Sequence, residues 1–193
     1  MRIADVTRVT KETDIKIEIN LDGKGECGIN TGVGFFDHML TAFATHSGFD
    51  LVVNVKGDLS VDAHHTIEDT GIVLGQAFAK ALTSKEGINR YGSFYVPMDE
   101  ALGFCALDIS SRPYLVYECD FIGDMMGDMD TQMVEEFFRA FAFNAGITLH
   151  VKALYGRNDH HKCEAMFKAV AHALAMAVAP NGKSNVLSSK GVI

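Results

Sequence analysis

The sequence predicts an α+β fold of two similar halves, each a mostly antiparallel sheet that two helices cover on one face. The main observation is a repeat. The segment HHTIE at 64–68 returns as HHKCE at 160–164, and each copy opens an alanine-rich segment with apolar residues at helical spacing. Alternating segments typical of strands precede both copies. We therefore expect a single domain with halves at about 1–86 and 87–180, followed by a tail at 181–193.

In the first half, apolar and polar residues alternate in three early segments, as they do in half-buried strands. Asp22-Gly23 is typical of a hairpin turn, and Gly48 is typical of a left-handed helix cap. The predicted elements are strands over 2–10, 14–20 and 25–30, a helix over 35–44, a strand over 50–55 and a helix from His64.

The second half predicts the same order of elements. Its first helical segment ends at Gly146, which aligns with Gly48 of the first half. The stretch 123–130 is rich in Gly, Met and Asp and predicts a loop. The predicted elements are strands over 91–97, 101–109 and 114–120, a helix over 133–142, a strand over 148–152 and a helix from His160.

Composition narrows the class of protein. The net charge of −8 argues against a nucleic-acid binder, which normally carries a basic face. No apolar run approaches the roughly 20 residues that a membrane span needs. The N-terminus lacks the apolar core of a signal peptide, and the four cysteines are far apart, as is typical of reduced thiols. These features predict a cytoplasmic protein that binds neither nucleic acid nor membrane.

The repeated motif has the spacing of a metal ligand pair. His64 and Glu68 are four residues apart on a predicted helix, so both project from one face and can hold one ion. His65 lies about 100° around the helix and should reach a different ion. The same geometry returns at His160, His161 and Glu164. Two such helices predict a two-metal site with internal pseudo-symmetry.

The alternative is that these histidines and glutamates do not bind metal. A single histidine on an amphipathic helix is most often a surface or core residue. Two copies at matching places are harder to explain by packing, because buried imidazoles and carboxylates are costly unless they are paired or metal-bound. The nitrogen-rich set favours Mn, Fe, Co, Ni or Zn over Mg or Ca.

Several longer segments resemble the imidazoleglycerol-phosphate dehydratase family. They are Asp37–Leu40, Asp62–Gly71, Arg90–Gly92, Pro97–Leu102, Asn158–Ala165 and Ser188–Gly191. The resemblance covers the whole chain in order and implies two similar α+β halves. It also implies a hydro-lyase of histidine biosynthesis that converts D-erythro-imidazoleglycerol phosphate to imidazoleacetol phosphate. The family further implies two Mn²⁺ ions per active site and assembly from trimers into a homo-oligomer of 24 subunits.

The resemblance also implies the metal ligands. They are His38, His64, His65, Glu68, Glu136, His160, His161 and Glu164. Glu136 stands where many members have a histidine, and it aligns with His38 in the internal repeat. By pseudo-symmetry we expect one ion to take His38, His65, His160 and Glu164. We expect the other ion to take His64, Glu68, Glu136 and His161.

The catalytic and substrate-binding residues follow from the same resemblance. The expected catalytic residues are Glu12, as general acid or base, with Glu68 and Glu164. The expected substrate-binding residues are Glu12, Arg90, Arg112, Lys168, Ser188, Ser189 and Lys190. Two metals on both ring nitrogens would stabilise an imidazolate, which can expel the adjacent hydroxyl to give a diazafulvene-like intermediate. The neighbouring C–H is then acidic enough for a base to remove.

Two other functions remain open at this point. A binuclear metallohydrolase is the nearest enzymatic alternative, although it would normally offer a bridging carboxylate and an open water position. A non-enzymatic metal-binding shell is the second alternative, and it leaves the cationic residues without a role. His46, His150 and His172 are predicted to be structural. The roles of Asp99 and Glu100, in support of the metals or at an interface, are undecided.

Overall fold

The first half places two helices on a four-stranded sheet. The structure is a computed structural model that describes residues 1–191. The strands pair in the order β1-β2-β4-β3, with β3 parallel to β4 and the other pairs antiparallel. Its elements are β1 (Ile3–Val9), β2 (Thr13–Asn20), β3 (Cys27–Asn30), α1 (Gly34–Ser47), β4 (Asp50–Gly57) and α2 (His64–Leu82).

The second half has the same architecture. Its strands pair in the order β5-β6-β10-β7, and β7 is parallel to β10 as β3 is to β4. A short hairpin, β8–β9, is added before the third helix. The elements are β5 (Tyr91–Met98), β6 (Ala101–Asp108), β7 (Tyr114–Glu118), β8 (Met125–Met126), β9 (Met129–Asp130), α3 (Met133–Ala145), β10 (Thr148–Tyr155) and α4 (Asp159–Val178).

Side-chain alternation explains why each sheet is covered on one face. In β2 the residues Ile15, Ile17 and Ile19 are buried, while the residues between them are exposed. This period of two directs every second side chain towards the helices. Helices α1 and α2 pack on the first sheet, α3 and α4 pack on the second, and the helices contact each other across the middle. The layers are therefore sheet, helices, helices, sheet.

Aromatic side chains fill the space between the helix layers. The Phe137 ring lies 5.2 Å from Phe36 of α1 and 5.3 Å from Phe167 of α4, measured between ring centroids. Both α1 and α3 end at a glycine in the left-handed conformation, Gly48 with φ 72° and Gly146 with φ 67°. Only glycine adopts this conformation without steric cost, so the two caps stop the helices at equivalent places.

The predicted fold class is confirmed, with one local difference. The stretch 123–130, predicted to be a loop, contains the β8–β9 hairpin. Strands of two residues carry too little alternation to be detected in a sequence. Two carboxylates fasten this segment: Asp128 accepts the backbone N–H groups of Gly34 and Phe35, and Asp159 accepts those of Ile122 and Gly123. The division of the chain at about residue 86 stays a prediction.

None of the helices within residues 1–191 is both long enough and apolar enough to cross a bilayer.

Helices α2 and α3 approach so closely that two glycines of α2 are required. A Cβ on Gly71 would lie 2.8 Å from the carbonyl oxygen of Phe137, and one on Gly75 would lie 2.6 Å from that of Phe141. Both distances are shorter than van der Waals contact. Because the obstructing atoms belong to the backbone, a side chain at either position would push the two helices apart.

We expect Gly75→Ala to lower the free energy of unfolding, measured by chemical denaturation. Alanine gains about 1 kcal/mol of helix propensity over glycine, but overpacking costs about 1–3 kcal/mol. Gly28→Ala is the control, since a Cβ at Gly28 would meet no atom within 4 Å. A Gly75→Ala protein as stable as the control would show that the contact between α2 and α3 relaxes at no cost.

Candidate active site

Three of the predicted metal ligands converge between α1 and α4. His160 and Glu164 are one turn apart on α4, with 3.0 Å between His160 Nε2 and Glu164 Oε2. His38 of α1 brings its Nε2 to 3.2 Å from the same oxygen. One ligand atom from each residue lies within 4.8 Å of the others. Two imidazoles and a carboxylate at this spacing fit a divalent transition metal.

The repeated pair on α2 has the same local geometry. His64 Nε2 lies 3.3 Å from Glu68 Oε2, across one helical turn. Glu136 of α3, expected beside this pair, instead forms an ion pair with Arg139 on its own helix. Between residues 1 and 191 no ion pair joins Glu136 to a histidine. The second ligand group is thus less complete than the first.

The remaining two histidines each have a carboxylate on one ring nitrogen. His65 Nδ1 lies 3.0 Å from Asp58, and His161 Nδ1 lies 2.8 Å from Glu100. Such a contact fixes the ring orientation and directs Nε2 away from the carboxylate, which is the arrangement common for histidines that bind metals. His65 Nε2 lies 3.8 Å from Glu12, the predicted acid or base. His65 is therefore not part of the group formed by His38, His160 and Glu164.

These carboxylates also change the protonation of their partners. The hydrogen bonds from His161 and from the backbone N–H groups of Asn158 and Arg157 lower the pKa of Glu100 to about 2. In return, Glu100 raises the pKa of His161, and Asp58 raises the pKa of His65. A metal ion takes the neutral imidazole, so metal binding at these two rings would release protons.

Lys168 extends the ligand group along α4. Its Nζ lies 2.6 Å from Glu164 Oε1, so the two oxygens of Glu164 face different partners. Burial alone would raise the pKa of Glu164, yet the hydrogen bond and charge of Lys168 hold that pKa below its usual value. The carboxylate therefore stays ionised, as a metal ligand must be. Lys168 is predicted to bind substrate, and its amine lies beside the predicted metal ligand Glu164.

The other cationic residues that are predicted to bind substrate line a separate cavity of about 680 Å³. The tail after α4 forms part of its wall, because Val186 pairs with Glu86 in an isolated bridge and Leu187 accepts a hydrogen bond from Arg90. Five residues predicted to bind substrate line this cavity: Arg90, Arg112, Ser188, Ser189 and Lys190. Cationic and hydroxyl groups in one cavity suit a phosphate group.

The two arginines of this cavity differ in their freedom. Arg90 is buried, and its guanidinium makes hydrogen bonds of 2.6 and 3.0 Å to Asp108 and one of 2.5 Å to the Leu187 carbonyl oxygen. Arg112 is largely exposed, with its closest carboxylate, Asp108, at 3.6 Å. Arg90 thus builds the wall of the cavity, whereas Arg112 is free to turn towards an anion.

The sequence did not identify Asp58 as a site residue. Asp58 precedes its histidine by seven residues, whereas Glu100 lies 61 residues from His161. The two carboxylates share no spacing, so the internal repeat contains no signal for Asp58. The role of Glu100 is undecided from the sequence alone, and the structure places its carboxylate 2.8 Å from His161 Nδ1.

Two histidines predicted to be structural contact each other. His46 Nδ1 lies 3.1 Å from His172 Nε2 where α1 meets α4, and Phe94 stacks on His172 with 4.4 Å between ring centroids. Burial lowers the pKa of both imidazoles. This contact joins the two helices that carry His38 and Glu164.

Known proteins resemble the chain over nearly its full length. A family model described as imidazoleglycerol-phosphate dehydratase matches residues 31–174. The imidazoleglycerol-phosphate dehydratase of Acetivibrio thermocellus is 60% identical over 190 residues, which cover 98% of this chain and 97% of that protein. The one from Ruminiclostridium cellulolyticum is 59% identical over 194 residues and covers 100% of each chain.

Solved structures give the same result. The imidazoleglycerol-phosphate dehydratase of Staphylococcus aureus superposes with a TM-score of 0.84 at 42% identity, covering 93% of this chain and 99% of that one. The structure from Pyrococcus furiosus also gives 0.84, at 38% identity, and covers 97% and 100% of the two chains. Sequence and fold agree at identities well above those at which only a fold is shared. The chain therefore belongs to the imidazoleglycerol-phosphate dehydratase family, whose members are hydro-lyases.

Proposed function

We propose that this protein dehydrates imidazoleglycerol phosphate to imidazoleacetol phosphate, a step of histidine biosynthesis. The observation that carries this proposal is the repeated histidine–glutamate pair, present on α2 and α4 of a chain of this family. The cationic cavity lined by Arg112 and Lys190 supports a phosphorylated substrate. A metal-binding shell without activity would have no use for that cavity.

The proposed cofactor is a pair of Mn²⁺ ions per active site. When bound, they supply Lewis-acid contacts to the nitrogens of the substrate imidazole. The group His38, His160 and Glu164 would hold one ion, and His64 with Glu68 would begin the site for the other. We assign His65, His161 and Glu136 to complete the two sets. Asp58 and Glu100 support this assignment, because they orient the Nε2 atoms of His65 and His161.

We also propose that the ligand sets are completed between subunits of a homo-oligomer, as in the 24-subunit shells expected for the family. The support is the separation of the ligands in one chain. Three of four ligands for the first ion lie together, but His65 faces Glu12 instead. A second copy of the chain could bring its His65 to the group around Glu164.

The residues around the metals have separate roles in the proposed reaction. Glu12, with an exposed carboxylate beside His65, would move the proton at the reacting carbon or at the leaving hydroxyl. Arg112 and Lys190, with Ser188 and Ser189, would bind the phosphate and fix the position of the substrate. Lys168 would contact substrate from its position beside Glu164.

A cytoplasmic location is part of the same proposal. The four cysteines are all free thiols, two of them buried. Free cysteines are typical of proteins that work in a reducing compartment.

We expect chelator-treated protein to lose activity and to regain it with added Mn²⁺. The assay follows formation of imidazoleacetol phosphate and, in parallel, release of inorganic phosphate. The metal content of the protein is measured independently of activity. Full activity in verified metal-free protein would contradict the assignment of the ligands to metal. Release of phosphate in place of the dehydration product would support the metallohydrolase instead.

Lys190→Gln should raise KM for the substrate by about tenfold or more, because a charge-assisted contact to phosphate contributes about 1.5–3 kcal/mol. Lys183→Gln is the matched control: Lys183 lies on the same tail and is exposed, but it does not line the cavity. KM for the substrate is measured for both variants by steady-state kinetics. Equal KM values for the two variants would show that the phosphate of the substrate does not bind in this cavity.

Glu12→Gln should lower kcat by about 100-fold to 10,000-fold with little change in KM, because the amide keeps the shape and cannot transfer the proton. Glu26→Gln serves as the control, because Glu26 is exposed and lies in the loop just before β3 of the same sheet. Wild-type kcat in Glu12→Gln would exclude Glu12 as the acid or base.

A further inference from the structure

The turn that carries Glu12 is connected to helix α2 by a chain of hydrogen bonds. The Thr10 hydroxyl accepts the backbone N–H groups of Glu12 at 3.1 Å and of Thr13 at 2.9 Å. Thr10 Oγ1 and Thr13 Oγ1 lie 3.2 Å apart. The Thr13 hydroxyl donates to Asp69 Oδ2 of α2 at 2.5 Å. The backbone of Glu12 is therefore linked through two hydroxyls to a carboxylate.

The donor and acceptor roles of Thr13 in this chain follow from the carboxylate of Asp69. An ionised carboxylate can only accept hydrogen bonds, so Thr13 donates its single hydroxyl proton to Asp69. The Thr10 hydroxyl then has two acceptors for its proton, Thr13 Oγ1 at 3.2 Å and the Thr13 carbonyl oxygen at 3.4 Å, and both belong to Thr13. Thr10 in turn uses its lone pairs on the N–H groups of the turn. The contacts of Thr10 therefore hold the turn, and the Thr13 hydroxyl connects the turn to α2.

Asp69 holds the strands on both sides of the turn. Arg8, at the end of β1, forms an ion pair with Asp69 Oδ2, the oxygen that Thr13 also contacts at the start of β2. Asp69 and Thr13 are 8% and 3% exposed. Polar contacts removed from water in this way are strong, and they are costly to lose.

This connection is not needed to form the hairpin itself. The hairpin has its own closing hydrogen bond, from Thr10 N–H to the Thr13 carbonyl oxygen at 2.8 Å, and its register continues from Val9 and Asp14. What Asp69 adds is the position of the turn relative to α2. Asp69 directly follows Glu68, so the turn is placed against the helix turn that carries His65 and Glu68.

We infer that Thr13 and Asp69 are positioning residues for Glu12. They set the distance of its carboxylate from the ligands on α2, and they act on the reaction only through it. The inference rests on the proposed role of Glu12 and adds two residues to the active site. It explains why a buried carboxylate lies next to a ligand without being one.

The test compares Thr13→Val with Thr13→Ser. Valine has the shape of threonine without the hydroxyl, whereas serine keeps the hydroxyl. We expect Thr13→Val to lower kcat by about tenfold to 100-fold at unchanged KM, since displacing a catalytic group by about 1 Å can cost 100-fold. Thr13→Ser should restore most of kcat. Thr70→Val is the control, because it removes a buried hydroxyl that donates to the Thr66 carbonyl oxygen within its own helix.

A double-mutant cycle with Glu12→Gln separates positioning from a general structural effect. If Thr13 acts through Glu12, adding Thr13→Val to Glu12→Gln lowers kcat no further. Further loss in the double mutant, or wild-type kcat in Thr13→Val beside an impaired Glu12→Gln, would overturn the inference alone. Wild-type kcat in Glu12→Gln would overturn the proposed role of Glu12 and the inference with it.

A second variant and a second readout guard against misfolding. Thr10→Val alters only an exposed residue, and it should reproduce the kcat loss of Thr13→Val. Hydrogen exchange at the Glu12 amide should be faster in both variants, at unchanged protection of the α2 amides. Unchanged exchange at Glu12 in both variants would show that the hydroxyl chain does not hold the turn.

Discussion

The carboxylate of Glu164 lies between α1 and α4 with only 6% of the residue exposed. Isolated there, a charge would cost several kcal/mol, so it requires partners on both sides. Lys168 satisfies one oxygen, and His38 and His160 face the other. Because His38 comes from the other half of the chain, the contact requires the halves to pack together. The geometry of the first ligand group is thus fixed by the same packing that stabilises the fold.

The two halves share one backbone architecture, but the charged groups around their histidine–glutamate pairs differ. Glu164 is buried and paired with Lys168, whereas Glu68 is only half-buried, and the helix beside it carries Glu136 paired to Arg139. The duplication therefore supplies one assembled ligand group and one open group per chain. An open pair at the surface is the geometry expected where a second copy contributes the missing ligands, which accords with the proposed assembly.

The sequence predicted the helices and strands that recur in the two halves, but not the contacts between distant segments. The paired motifs gave the order of helices and strands, and Gly48 and Gly146 gave the helix ends, because each rests on local spacing. The β8–β9 hairpin and the partner of His65 depend on contacts between distant segments, for which no spacing exists. That His65 turns towards Glu12 also depends on tertiary packing. Sequence periodicity indicates which face of a helix or strand a residue occupies, but not which residues pack against that face.

The segment around β8–β9 is fastened at both ends to the helices that hold the first ligand group. Asp128 bonds to the first residues of α1, and the backbone at 122–123 bonds to Asp159 at the start of α4. The segment therefore works as a spacer of fixed length between His38 and His160. Surface loops usually tolerate insertions, but a residue gained or lost here would change the separation of two proposed metal ligands. If the proposed metal site is correct, coordination chemistry constrains the length of this irregular connection.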